Sequence, residues 1–87
     1  MTDSFRRHSR SLTAPPEHGA AVTPDDGRDL AVTTRALYVG GAGDLAVVMA
    51  DGTQLVFGSL PAGTLLPVRV ARVLATGTSA TRVVGLW

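Results

Sequence analysis

Hydrophobic and polar positions fall into short alternating runs separated by turn residues. The clearest pair is Asp44-Leu-Ala-Val-Val-Met-Ala and Thr53-Gln-Leu-Val-Phe57, which flank Asp51-Gly52. Asp-Gly between two apolar runs predicts a hairpin with a two-residue type I′ loop, since both residues accept positive φ. That loop would oppose Ala50 to Thr53, Val48 to Leu55 and Ala46 to Phe57. Leu45, Val47, Met49, Gln54 and Val56 would then share the other face. Both faces are mostly apolar, whereas a half-solvated antiparallel sheet shows clean alternation. One face is therefore expected to pack on the domain's own core. Part of the other should meet a second sheet, the N-terminal segment or a neighbouring subunit.

The rest of the chain extends this pattern. Thr33–Val39 reads as a strand, followed by a turn at Gly40-Gly41-Ala42-Gly43. A further turn falls at Ser59–Gly63, then a strand over Leu65–Ala75, a turn at Thr76–Ser79 and a last strand over Thr81–Trp87. Arg69 and Arg72 have opposite parity, so either a bulge near Ala71 brings them to one face or one Arg points into an interface. Pro67 marks a strand start or an edge. Trp87 is expected to pack its ring, because an exposed indole leaves a large apolar area in water. Helix-length windows carry Gly, Pro or β-branched residues in place of a 3.6-residue stripe. The expected fold is all-β: a small antiparallel β-sandwich or barrel of about five to seven strands with an extended N-terminal arm.

Composition divides the chain. Residues 1–30 are rich in Ser, Thr, Pro, Arg and Asp, and Pro15, Pro16 and Pro24 favour extended backbone. They read as an arm, and residues 31–87 as the β-domain. Phe5, Leu12 and Val22 are the arm's sparse apolar points. The large side chains of the domain are few, so a core of Val and Leu is marginal on its own and favours oligomerisation. The chain has no Cys, so it can use neither disulfides nor thiolate metal sites as staples. No apolar h-region opens the chain, which argues against a secretory signal, and Leu45–Ala50 is far too short to span a bilayer.

Chemical equipment is sparse. His8 and His18 both lie in the arm, without a metal-like spacing to another ligand, and no His lies in the β-domain to activate a Ser. The domain's carboxylates, Asp44 and Asp51, sit at opposite ends of one strand, roughly 20 Å apart by rise per residue. They cannot face one cleft as an acid/base pair. The glycine run at 40–43 lacks the Lys-Ser/Thr of a phosphate loop and leads into a strand. Neither catalysis nor a cofactor or metal is expected. Net charge is +1, and the densest basic patch, Arg6-Arg7-His8-Ser9-Arg10, has no interleaved aromatics. A partner-facing cluster is favoured there over nucleic-acid binding.

Several longer runs resemble one family. They are Val22-Thr-Pro-Asp-Asp, Arg35-Ala-Leu-Tyr-Val-Gly-Gly-Ala-Gly-Asp-Leu-Ala-Val, Ala50-Asp-Gly-Thr, Pro61-Ala-Gly-Thr-Leu-Leu-Pro-Val-Arg-Val and Arg72-Val-Leu-Ala-Thr-Gly-Thr. From Val22 to Trp87 the chain is similar to the head spike base proteins of bacterial gene transfer agents and related tailed phages. Met1–Ala21 lie outside that resemblance. The resemblance implies a non-catalytic base, a ring of identical subunits (a pentamer) at the five-fold vertices of a phage-like particle. Its partners would be the major capsid protein and a spike fibre protein that helps attach the particle to a recipient cell. It implies no nucleic acid or membrane partner, and a place on the particle surface after assembly in the bacterial cytoplasm. On this reading Phe5, Arg6, Arg7, Arg10 and Leu12 anchor the arm to the capsid, and Leu45, Val47, Met49, Val56 and Trp87 contribute to subunit contacts. The rival reading is an oligosaccharide-binding attachment module, against which stands the small number of aromatic side chains.

Overall fold

The computed structural model describes residues 15–87. It is all-β over that range, with strands β1 (Gly19–Ala21), β2 (Ala36–Gly41), β3 (Gly43–Met49), β4 (Gln54–Leu60), β5 (Thr64–Leu66), β6 (Val70–Val73) and β7 (Thr81–Leu86). They form two antiparallel sheets, ordered β1-β7-β2-β5 and β4-β3-β6. Between the sheets lies a cluster of Leu37, Val39, Leu45, Val47, Val70, Val73, Ala80 and Val83. It contains no aromatic ring, in keeping with a composition poor in large side chains.

The chain changes sheet at corners. The glycine run at 40–43, expected as a turn, bends one long strand: β2 ends at Gly41 in the first sheet and β3 begins at Gly43 in the second. Gly43 has φ +154°, and a Cβ there would stand 2.6 Å from the Ala80 backbone nitrogen. That nitrogen and the Ser79 nitrogen donate to the Asp44 carbonyl at 3.0 and 2.9 Å. Close backbone approach therefore requires glycine at this position. The Leu65–Ala75 run, expected as one strand, is two strands in different sheets, divided at Pro67, which cannot donate to a ladder. Of the two alternatives for Arg69 and Arg72, the bulge is present: Met49 pairs with Val70 and Val48 with Arg72, so Ala71 is the extra residue.

The hairpin is present with a different register. The Gly52 N–H donates to the Met49 carbonyl at 2.9 Å, and the Met49 N–H donates to the Thr53 carbonyl at 2.7 Å. Gly52 takes φ +93°, while Asp51 is not among the residues with positive φ. This is a type I turn followed by a left-handed glycine, a three-residue loop in place of the expected type I′ pair. The ladder shifts by one residue to Val48–Gln54, Val47–Leu55, Ala46–Val56 and Leu45–Phe57. Val56 consequently moves to the face opposite Leu45 and Val47.

The arm boundary at residue 30 falls inside the folded unit. β1 pairs with β7, and the His18 and Trp87 main chains exchange hydrogen bonds of 2.7 and 2.8 Å. The Asp25 and Leu30 N–H groups then donate to the Val73 and Ala71 carbonyls along the free side of β6. Main-chain ladders of this kind leave little trace in side-chain pattern, and Gly-Ala-Ala is too short and too small to show one.

Candidate assembly surface

The expected interface residues separate into three groups. Leu45 and Val47 are 0% exposed and belong to the subunit's own core, so they are not available to a neighbour. Their face of β3 packs against the first sheet, and the hairpin slip takes Val56 off that face. Met49 is half-buried against the core near the hairpin tip, and Val56 is 62% exposed on the outer face of the second sheet. Trp87 is half-buried, its ring stacked on His18 at 6.3 Å between centroids and 25° between planes. Phe5, Arg6, Arg7, Arg10 and Leu12 lie outside the described residues.

Two apolar features escaped the pattern analysis. On the first sheet, Tyr38 pairs with Leu65 on one side and Val84 on the other, and Val84 pairs with Ala21. Leu37 and Val39 are fully buried, so Tyr38 points outward, and this row crosses all four strands. Tyr38 and Leu65 are 40% and 57% exposed. The signal was present as period-2 alternation around Tyr38, but only strand order assembles its four members. On the second sheet, Ala46 floors a shallow groove whose sides include Val56 and Leu74. Leu55, on β4, is also exposed, at 41%.

Charged groups fasten residues 25–30, which run along β6, at the rim of that groove. The Asp26 carboxylate accepts from the Thr76 hydroxyl at 2.6 Å and the Thr76 N–H at 2.9 Å. These bonds, the hydroxyl first, hold the Asp26 carboxyl below its ordinary value. Arg72 donates through Nη1 to the Asp26 carbonyl at 2.9 Å and through Nε to Asp29 at 2.8 Å. Asp51 is likewise lowered, by the N–H and then the hydroxyl of Thr53. Asp44, at the corner, accepts from the Ser59 N–H at 2.7 Å, and Ser59 has φ +56°. Among the described residues no group of three His, Cys, Asp or Glu side chains gathers as a metal site would require. The aspartates at 25, 26, 29, 44 and 51 are committed to turns, the corner and the residues along β6.

The sheet edges differ in protection. In β3, the Ala46 carbonyl accepts from Leu74 and the Ala50 N–H donates to Arg69, while the Met49 N–H bonds Thr53. Alternation along the ladder then turns the Leu55 and Phe57 main-chain groups toward β3 and those of Gln54, Val56 and Gly58 away from it. On β1, the bonds of His18 to Trp87 and of Val22 to Val83 set the parity, which turns the Gly19 and Ala21 groups outward. Among the described residues these outward groups have no hydrogen-bond partner. The free side of β6 is occupied by residues 25–30, and β5 is three residues long between Pro61 and Pro67.

No protein-family model and no curated protein matches the chain. A solved structure does. It is described as the capsid of a native GTA (gene transfer agent) particle computed with C5 symmetry. One of its chains superposes with a TM-score of 0.80 at 41% identity, covering 99% of this chain and 100% of that one. The likeness extends beyond the Val22–Trp87 stretch that carried the sequence resemblance.

Proposed function

This chain belongs to the capsid-particle proteins of gene transfer agents, and we propose that it forms the base of a head spike at the five-fold vertices. Five copies make a ring around the vertex axis, one side of which rests on the major capsid protein while the other receives a spike fibre. The role is mechanical and non-catalytic. The base holds the fibre that attaches the particle to a recipient cell. Assembly takes place in the bacterial cytoplasm.

The observation that carries this reading is the full-length likeness to a chain of a gene transfer agent capsid computed with C5 symmetry. Two features of the fold support it: a small core without aromatic rings, and apolar side chains left on the outer faces of both sheets. In the proposed base, Phe5, Arg6, Arg7, Arg10 and Leu12 contact the capsid, and Met49, Val56 and Trp87 lie at or near subunit contacts.

The test is to locate an epitope-tagged chain on purified particles and count its copies. Five copies at each labelled vertex, and intact capsids without vertex fibres when the gene is deleted, are the expected results. Label on the tail, or a copy number matching the whole shell, would overturn the proposal.

A further inference from the structure

Resting on the vertex-ring reading, we infer that the ring is closed by strand addition, with the β4 edge of one copy hydrogen-bonded to the β1 edge of the next. β4 is the long uncovered edge among the described residues. Its seven residues, Gln54–Leu60, include no charged residue and no proline, and the ladder is regular over Gln54–Phe57, shifting only beyond it, where Ser59 has φ +56°. Edges that must stay single are usually short, charged, kinked or covered. The edge of β6 is covered and that of β5 is short and flanked by prolines, so β4 stands apart.

Topology supplies the complementary surface. β4 runs on into β5, and β5 closes one side of the first sheet. β1 closes the opposite side of that sheet. The two free edges therefore lie on opposite flanks of the sandwich, as a head-to-tail ring requires, since each subunit offers one surface forward and a different one back. A self-pairing of two β4 edges would give a two-fold dimer and stop there. Gly19, Ala20 and Ala21 are all exposed and nearly without side chains, so a neighbour's backbone can approach β1 closely. Val56, 62% exposed on β4, would be covered in the process.

Two substitutions test the pairing without touching the subunit's own ladders. Val56→Pro and Ala21→Pro each remove an N–H that points away from the parent sheet, and proline is tolerated on edge strands. Val56→Lys keeps the main chain and adds a charge at the edge. Ala42→Lys, exposed at the corner between β2 and β3 and on neither edge, is the control. Native mass spectrometry of the full-length chain over a concentration series, with amide exchange on the same samples, gives the readout. In the wild type, the expected species is a pentamer in which Gln54, Val56, Gly58, Gly19 and Ala21 exchange more slowly than in the dilute monomer. Each of the three edge variants should weaken assembly at least about tenfold, through the lost hydrogen bonds or the added charge, with its melting temperature close to that of the monomeric wild type. Ala42→Lys should assemble normally.

A pentamer that persists in all three variants, or whose two edges exchange at monomer rates, would overturn the strand pairing and leave the vertex-base reading standing. A wild-type chain that stays monomeric at high concentration would overturn it too, and copy number on particles would still decide the vertex-base reading. Protection of β4 in the monomer, lost when residues 1–14 are removed, would show that the chain's own N-terminal segment takes the edge, and would also overturn the pairing.

Discussion

Thr34 shows how much a single side chain can carry in so small a core. It is 1% exposed, and its hydroxyl donates to the Val68 carbonyl at 3.0 Å while accepting from the Val70 N–H at 3.0 Å. Its own N–H donates to the Val70 carbonyl at 3.1 Å, which ties the start of β2 to the start of β6 across the two sheets. Thr34→Val keeps the shape and strands two main-chain groups, so it should cost about 1–3 kcal/mol by urea unfolding. Thr34→Ser keeps the hydroxyl and should cost less. Asp26 sets an acid limit by the same logic. Its carboxyl is lowered in the folded state, chiefly by the Thr76 hydroxyl, so the stability it contributes is present above the unfolded carboxylate value. That contribution fades as pH falls below about 4. Asp26→Asn should therefore flatten the loss of stability between pH 5 and pH 2.5 (followed by denaturation midpoints), and the remaining slope should include Asp51, which is lowered in the same direction.

Elements are governed here by glycine at two kinds of bend. At the hairpin loop, Gly52 has φ +93° and open space around the position of a Cβ. Gly52→Ala should cost about 1–2 kcal/mol, the conformational penalty alone. At the corner, a Cβ on Gly43 would meet the Ser79–Ala80 backbone at 2.6–2.7 Å. Gly43→Ala should cost about 3 kcal/mol, because neither partner strand can retreat without giving up the bonds to Asp44. Thermal or urea unfolding of the pair separates turn strain from corner crowding. The hairpin also shows the limit of turn chemistry. Asp51-Gly52 fits a two-residue type I′ loop and a three-residue type I loop with a trailing glycine. The two differ by one residue of register, and that residue decides which side chains face the core. β1 shows the opposite limit, since its place in a sheet rests on main-chain bonds that any short segment could make. A truncation meant to remove only the arm must therefore stop before Glu17, whose N–H already donates to the Trp87 carbonyl at 2.8 Å.

For the whole molecule, the separation of core from surface is the property that assembly acts on. Leu45→Ala should destabilise the subunit by about 2–5 kcal/mol, because it opens a cavity among fully buried neighbours. Val56→Ala should leave subunit stability within about 0.5 kcal/mol. Equilibrium unfolding of the dilute chain measures both. What the sequence by itself determined is the all-β class, the bends at 40–43, 51–52 and 76–79 and, through its longer runs, the link to gene transfer agents. These are local properties: alternation with period two, residues suited to special backbone conformations, and residue runs that can be matched directly. Tertiary structure alone decided the hairpin register, the division of Leu65–Ala75 between two sheets, the inclusion of Gly19–Ala21 as a strand, and the removal of Leu45 and Val47 from any subunit contact. The physical reason is common to all four. Alternation says that a residue faces one side or the other, but the neighbour across the ladder, and with it inside or outside, is fixed by main-chain hydrogen bonds between segments far apart in the chain.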